Sequence, residues 1–115
     1  MIRTKRIYDA PSKDDGYRIL VDRLWPRGLT KEEARIDLWL RQIAPSDELR
    51  KWYSHDPEKW EEFKKRYEQE LADKKDLLRK IKQLEKEERA VSLLYSTKET
   101  ERNNAVALLG FLKKA

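Results

Sequence analysis

Cysteine is absent from this 115-residue chain, which removes disulfides, thiolate nucleophiles and Cys-based metal centres from consideration. One histidine, His55, leaves no second imidazole for a zinc site, and no serine can be identified as its partner in a nucleophilic triad. Glycine is scarce, with 3 residues, and no GxGxxG, Walker lysine loop or GxSxG elbow occurs. No cofactor or metal is therefore expected. Long apolar runs are missing too, and the opening "MIRTKRIYDAPSKDDG" lacks the apolar core of a signal peptide. The expectation is a soluble, cytoplasmic protein.

What is abundant is charge. Ionic residues make up 43% of the chain and hydrophobic ones 38%, yet the apolar residues recur at structural spacings, so a folded domain is expected rather than a disordered one. The length fits a single domain over residues 1–115. A Cys-free surface rich in Glu, Lys and Arg is thermophile-like in composition, which concerns the host and not the function. The net charge of +5 keeps nucleic acid open as a partner. The basic residues of 58–89 alternate with acids, however, and do not read as a recognition helix.

Along the chain, residues 2–8 read as a strand, ended by the turn cluster "APSKDDG". "YRILVDRL" carries the continuous run Ile19, Leu20 and Val21, the pattern of a strand covered on both faces. Pro26 and Gly28 stop it. Thr30 and Glu33 form a capping box for a short helix. The stretch 37–43 fits strand alternation better than a helix, because Pro45 and Ser46 then act as stop and next N-cap. A brief helix over 47–53 follows, then Asp56 and Pro57 open another. Trp60, Phe63, Tyr67 and Leu71 form one apolar stripe, continued after a break near Asp73 by Leu77, Leu78, Ile81 and Leu84. Glu61 with Lys65, Glu62 with Arg66 and Glu85 with Arg89 stand four apart as ion pairs. "AVSLLY" is a second buried strand, and 100–114 closes the chain as a helix with Ala105, Leu108, Leu109 and Leu112 inward. Strands alternating with helices predict an α/β domain with a small, mostly parallel sheet of about four strands.

In such sheets ligands bind beyond the strands' carboxyl ends. Two exits are rich in polar groups: Arg23, Trp25, Arg27 and Gly28 after one strand, and Tyr95 through Lys98 to Asn103 and Asn104 after another. Arginine forks grip phosphate or carboxylate, helix amino ends favour anions, and tryptophan offers a stacking face. If the two strands are neighbours, the exits make one cleft. The structural alternatives are ordinary: Arg23 and Arg27 paired with Asp22 or Asp37, Trp25 as packing, and the asparagines as caps. Tyr95 and His55 are the weak catalytic candidates.

"GYRILVDRLWPRGLTKEEA", "DLWLRQIAPSDELRKWYSHDPEKWEEFKKRYEQEL" and "VSLLYSTKETERNNAVALLGFL" together resemble the YeaO-like branch of the domain-of-unknown-function family DUF488. The likeness runs from Arg3 to Leu112, with "VDRLWPRG", "APS" and "NNA" its most specific pieces. It implies an α/β domain with the arginine-rich loop after the second strand, and it supplies no activity. Other branches place cysteine and histidine at the final strand–helix turn, where this chain has Tyr95, Asn103 and Asn104, so thiol or metal chemistry does not carry over.

The leading expectation is thus a site for a small phosphate- or carboxylate-bearing ligand, with or without catalysis. A nucleic-acid-binding module with a broad basic face is the first alternative. A homodimer built on the aromatic helix is the second. No membrane association is expected.

Overall fold

The computed structural model describes residues 1–114. Four parallel strands, β1 (Ile2–Arg6), β2 (Tyr17–Leu20), β3 (Leu38–Trp39) and β4 (Val91–Tyr95), form one sheet in the order β1-β4-β2-β3. The last strand in sequence is therefore interior, and every residue of it is buried. This explains why "VSLLY" is apolar almost throughout: a strand paired on both edges and covered on both faces has no solvent side.

Alternation along β2 and β4 divides the core in two. Ile19, Val21, Val91, Leu93 and Tyr95 join the larger cluster, which contains Leu49, Tyr53, Phe63, Tyr67, Ile81 and Leu108 from the helices. Those helices are α2 (Asp47–Tyr53), α3 (Trp60–Glu70), α4 (Lys75–Glu88) and α5 (Asn104–Lys114). Leu20 and Leu94 belong to a smaller cluster with Ile7 and Ala34, closed by Trp25, Leu29, Ile36 and Trp39. Its cover is only the single-turn helix α1 (Lys31–Ala34) and the loops around it. Thr30 and Glu33 cap α1 reciprocally, at 2.9 and 3.1 Å.

Four expectations need correction. The strand expected over 37–43 pairs only at Leu38 and Trp39, and Arg41–Ile43 turn as a 3-10 segment. Leu40 N–H still donates to Leu20 carbonyl, so the alternation was real but ends where Ile43 turns into the larger core. The last helix starts at Asn104 and not at 100. Glu85 pairs with the amino terminus at 2.7 Å rather than with Arg89, which leaves the helix at φ 68°. Glu61 meets Lys64, and the expected Glu62–Arg66 pair forms at 3.0 Å. Among the described residues no helix is long and apolar enough to cross a membrane.

At the amino end of the sheet a buried ionic group fixes the chain. The Asp15 carboxylate accepts from Lys5 Nζ at 2.8 Å, from the Ser12 N–H at 2.9 Å and from Arg18. Burial opposes its charge, but these donors outweigh burial and hold its pKa below the ordinary 3.8. Next to it, Gly16 has φ 65°, and a Cβ there would stand 2.2 Å from the Ala90 carbonyl oxygen. That close approach lets Tyr17 N–H donate to the same carbonyl and sets the β2–β4 register.

Two outcomes are expected. Gly16→Ala should cost at least about 2 kcal/mol in urea unfolding, since no flexible side chain can yield. Asp15→Asn should cost about 3 kcal/mol near neutral pH by leaving Arg18 buried without its partner. Because the folded pKa is lowered, this stabilisation is present above the ordinary value and lost as pH falls below about 4. The wild-type advantage over the variant should shrink in that window in acid-unfolding curves.

Candidate functional site

With all strands parallel, β1, β2 and β4 deliver their carboxyl ends to one edge of the sheet. A cleft of about 630 Å³ opens there. Because β2 and β4 are direct neighbours, the two polar exits singled out in the sequence lie side by side. Arg23, Trp25, Arg27, Lys98, Asn103, Asn104 and His55 all line the cleft, whereas Gly28 and Tyr95 do not. Gly28 sits at φ 79° with open space around it and serves the turn. Tyr95 is 4% exposed and part of the larger core. Burial, with Asp9 nearby, pushes its hydroxyl pKa up, against the lowering effect of a hydrogen bond with the Asn103 side chain.

The two exits are joined by Asp22. Its Oδ2 accepts from the Ser96 backbone N–H at 2.9 Å and the Ser96 hydroxyl at 2.8 Å. Its Oδ1 accepts from the Asn104 side-chain amide at 3.1 Å, and that amide also donates to the Val21 carbonyl. Burial is the largest influence on this carboxyl and raises its pKa, against the lowering effect of Ser96, Asn104 and Arg50. An internal carboxylate thus takes the Asn104 side chain at the start of α5 and both donors of Ser96 just beyond β4. Asn103 is committed as well, donating to the Glu99 carbonyl and accepting from Val106 N–H as a helix cap.

The arginines have no such acid. Asp22 takes Ser96 and Asn104, and Asp37 accepts the Arg18 backbone N–H at 2.8 Å, so neither aspartate answers Arg23 or Arg27. Arg23 is held by carbonyls alone, its Nε 3.1 Å from Pro45 O and one terminal nitrogen 3.4 Å from Ala44 O. Arg27 is positioned by its backbone, whose carbonyl accepts from the Tyr8 hydroxyl at 2.7 Å. Its guanidinium has no hydrogen-bonding partner among the described residues. Lys98 and Lys51 are exposed and likewise unpaired among them. Trp25 donates to Leu29 carbonyl at 2.7 Å and meets Trp39 edge-on at 5.4 Å. It is a wall of the cleft built from the smaller core.

Sequence reading missed Arg6, Arg50 and Lys51, which also line the cleft. Arg6 ends β1 and donates to Thr97 carbonyl at 3.0 Å, and the strand-end rule that pointed to Arg23 would have found it. Nothing in the sequence singles out Arg50 and Lys51 within the brief helix 47–53. They reach the cleft from α2, whose carboxyl end turns through Ser54 at φ 48° and His55 at φ 58°. The Tyr53 hydroxyl donates to Arg102 carbonyl at 2.8 Å, tying this turn to the loop before α5. The lining carries Arg6, Arg23, Arg27, Arg50, Lys51 and Lys98 against one carboxylate, Asp22. No cluster of three or more potential metal ligands exists among the described residues.

Residues 1–115 match the model of the family described as the inactive DUF488-N3 subclade. The chain belongs to this family. It is 40% identical over 112 residues to the uncharacterized protein YeaO of Escherichia coli, covering 97% of this chain and 96% of that one. It is 48% identical over 82 residues to the uncharacterized protein Rv3073c of Mycobacterium tuberculosis, covering 70% of each. No solved structure matches. In this DUF488 chain the arginine loop follows the second strand, as the resemblance implied.

The two structural aspartates should titrate in opposite directions. Carboxyl carbon shifts followed by NMR should place Asp15 below and Asp22 above the ordinary 3.8. Since the folded state keeps a proton on Asp22 more readily than the unfolded one, acidification relieves this site and does not undermine it. A depressed Asp22 would refute the view that burial dominates there.

Proposed function

We propose that the cleft binds a small phosphate- or carboxylate-bearing ligand and that its role is recognition, not catalysis. The observation that carries this reading is the convergence of six basic side chains, from segments far apart in sequence, on one recess with a single acid in its lining. That acid accepts from Ser96 and Asn104, and neither Arg23 nor Arg27 is paired with it. Cations held near one another in a recess repel, and an anionic guest relieves that repulsion. Arg27, with its guanidinium free, and Arg23, with one terminal nitrogen uncommitted, supply the forked donors suited to carboxylate or phosphate. The family's description as an inactive subclade accords with binding alone, as does the withdrawal of Tyr95 into the core.

A recessed positive pocket fits a small ligand better than it fits a duplex. Elsewhere on the surface cations alternate with acids, as in the Glu61–Lys64, Glu62–Arg66 and Glu68–Lys114 pairs. The aromatic stripe of α3 faces inward: Tyr67 is fully buried and donates to Ile43 carbonyl, and Trp60 stacks on Phe63. This stripe is packed within the chain's own core, which lends less support to a dimer built on it.

Pyrophosphate or citrate at about ten times its Kd should stabilise the protein by about 1.4 kcal/mol, a rise of a few degrees in Tm. Arg27→Ala removes an exposed side chain and should keep the Tm without ligand while abolishing the rise. An equal rise in wild type and variant would overturn the proposal.

A further inference from the structure

We infer that the ligand is a mononucleotide, a phosphorylated molecule with a flat apolar body, and this rests on the anion-binding reading of the cleft. The first observation is size. At about 630 Å³ the recess lies within the range of sites that enclose whole organic ligands, and an inorganic anion would leave most of it to water. The second is the distribution of exposed apolar surface. The large hydrophobic side chains that stand exposed among the described residues are Met1, Tyr8 at 38% and Leu24 at 58%, and the last two line this cleft. A protein with so ionic a surface has no need to leave Leu24 in water, and its cost disappears when a planar group covers it.

Third, the apolar surface and the charge are interleaved and not at opposite ends. The Arg6 guanidinium lies 4.7 Å over the Tyr8 ring, the Tyr8 hydroxyl holds the Arg27 backbone, and Leu24 sits between Arg23 and Trp25 in the chain. A ligand that spans this lining presents its anion and its flat face within a few ångströms of each other, as a nucleoside 5′-phosphate does. Fourth, Asp22 keeps acceptor capacity. Its Oδ1 takes one hydrogen bond, from Asn104, and a carboxylate oxygen accepts two. That leaves an acceptor in the cleft for a sugar hydroxyl or an exocyclic amine, which a bare polyphosphate cannot supply. Stacking on aromatic and guanidinium planes tolerates any base, so recognition of the class does not require a base-specific code.

The test is calorimetric titration of the full chain at fixed ionic strength with eight probes. These are pyrophosphate, ribose 5-phosphate, unphosphorylated adenosine, the four ribonucleoside 5′-monophosphates, and a ten-residue oligothymidylate. At least one monophosphate should bind about tenfold more tightly than both ribose 5-phosphate and pyrophosphate, and more tightly than adenosine. Leu24→Ser should weaken the monophosphate about fivefold and leave pyrophosphate unchanged, whereas Arg27→Ala should weaken both. If pyrophosphate or ribose 5-phosphate matches the best monophosphate and stays Arg27-dependent, the cleft binds anions but the nucleotide inference falls. If the oligothymidylate binds more tightly than its nucleotide count explains, the occupant is a strand and the inference falls equally. If no probe binds, both readings fail together.

Discussion

The Asp22 carboxylate fastens together three parts of the chain at the carboxyl edge of the sheet, beside the backbone bond from Val21 N–H to Leu94 carbonyl and the bond from the Asn104 amide to Val21 carbonyl. It takes the first backbone N–H beyond β4, the hydroxyl of the same serine, and the side-chain amide of the residue that opens α5. Everything on the carboxyl edge of the sheet is referenced to that knot. The arginine loop leaves from one side of it, the 96–103 loop from another, and the floor between them is the base of the cleft. A charged group in this place is costly to bury, and the raised pKa is the trace of that cost. It is offset because each donor it satisfies would itself be stranded without an acceptor.

The side chains of Ser96, Asn103 and Asn104 are engaged within the protein, which leaves cations such as Arg27 and Lys98 as the uncommitted polar groups of the cleft. Ser96, Asn103 and Asn104 make internal hydrogen bonds, while Arg23 and Arg27 pair with no acid and Arg50 pairs with Asp47 at 3.2 Å. Arg23 shows the device most clearly. Its guanidinium is steered by the carbonyls of Ala44 and Pro45, which fix orientation without cancelling charge as a carboxylate would. The arrangement concentrates positive charge along one recess, with His55 also in its lining.

Much of this was legible in the residues, and the boundary between what was and was not is physical. Hydrophobic periodicity is local, so the runs Ile19–Val21 and Val91–Leu94, the stripe of α3 and the Thr30 capping box could be read directly. The two polar strand exits could also be found, because the carboxyl edge of a parallel sheet is a rule of topology. Partner choice is not local. Asp22 finds Ser96 at a separation of 74 residues and Asn104 at 82, and nothing near Asp22 in the chain distinguishes that outcome from a pairing with Arg23. The same holds for Arg50 and Lys51, which come to the cleft on α2 and not from either strand exit. The strand expected over 37–43 failed for a related reason. Alternation persists to Leu40, but whether residues pair is decided by a neighbour, and only two of them find β2.

The order β1-β4-β2-β3 also constrains how the protein can be made. On a ribosome, β1 and β2 emerge early yet do not pair with each other; the strand that lies between them arrives last, about seventy residues after β2. Until Val91–Tyr95 has cleared the exit tunnel, both nascent strands keep open edges, and only the two-residue pairing of β2 with β3 is available. Helices α2 to α4 can collapse first, because their contacts are local. The sheet then closes in one late event with β4 entering as a wedge, and the cleft comes into being at the same moment. Until then the two unpaired edges must be kept from other chains by brevity and charge, which the five-residue β1, with Arg3, Lys5 and Arg6 along it, provides.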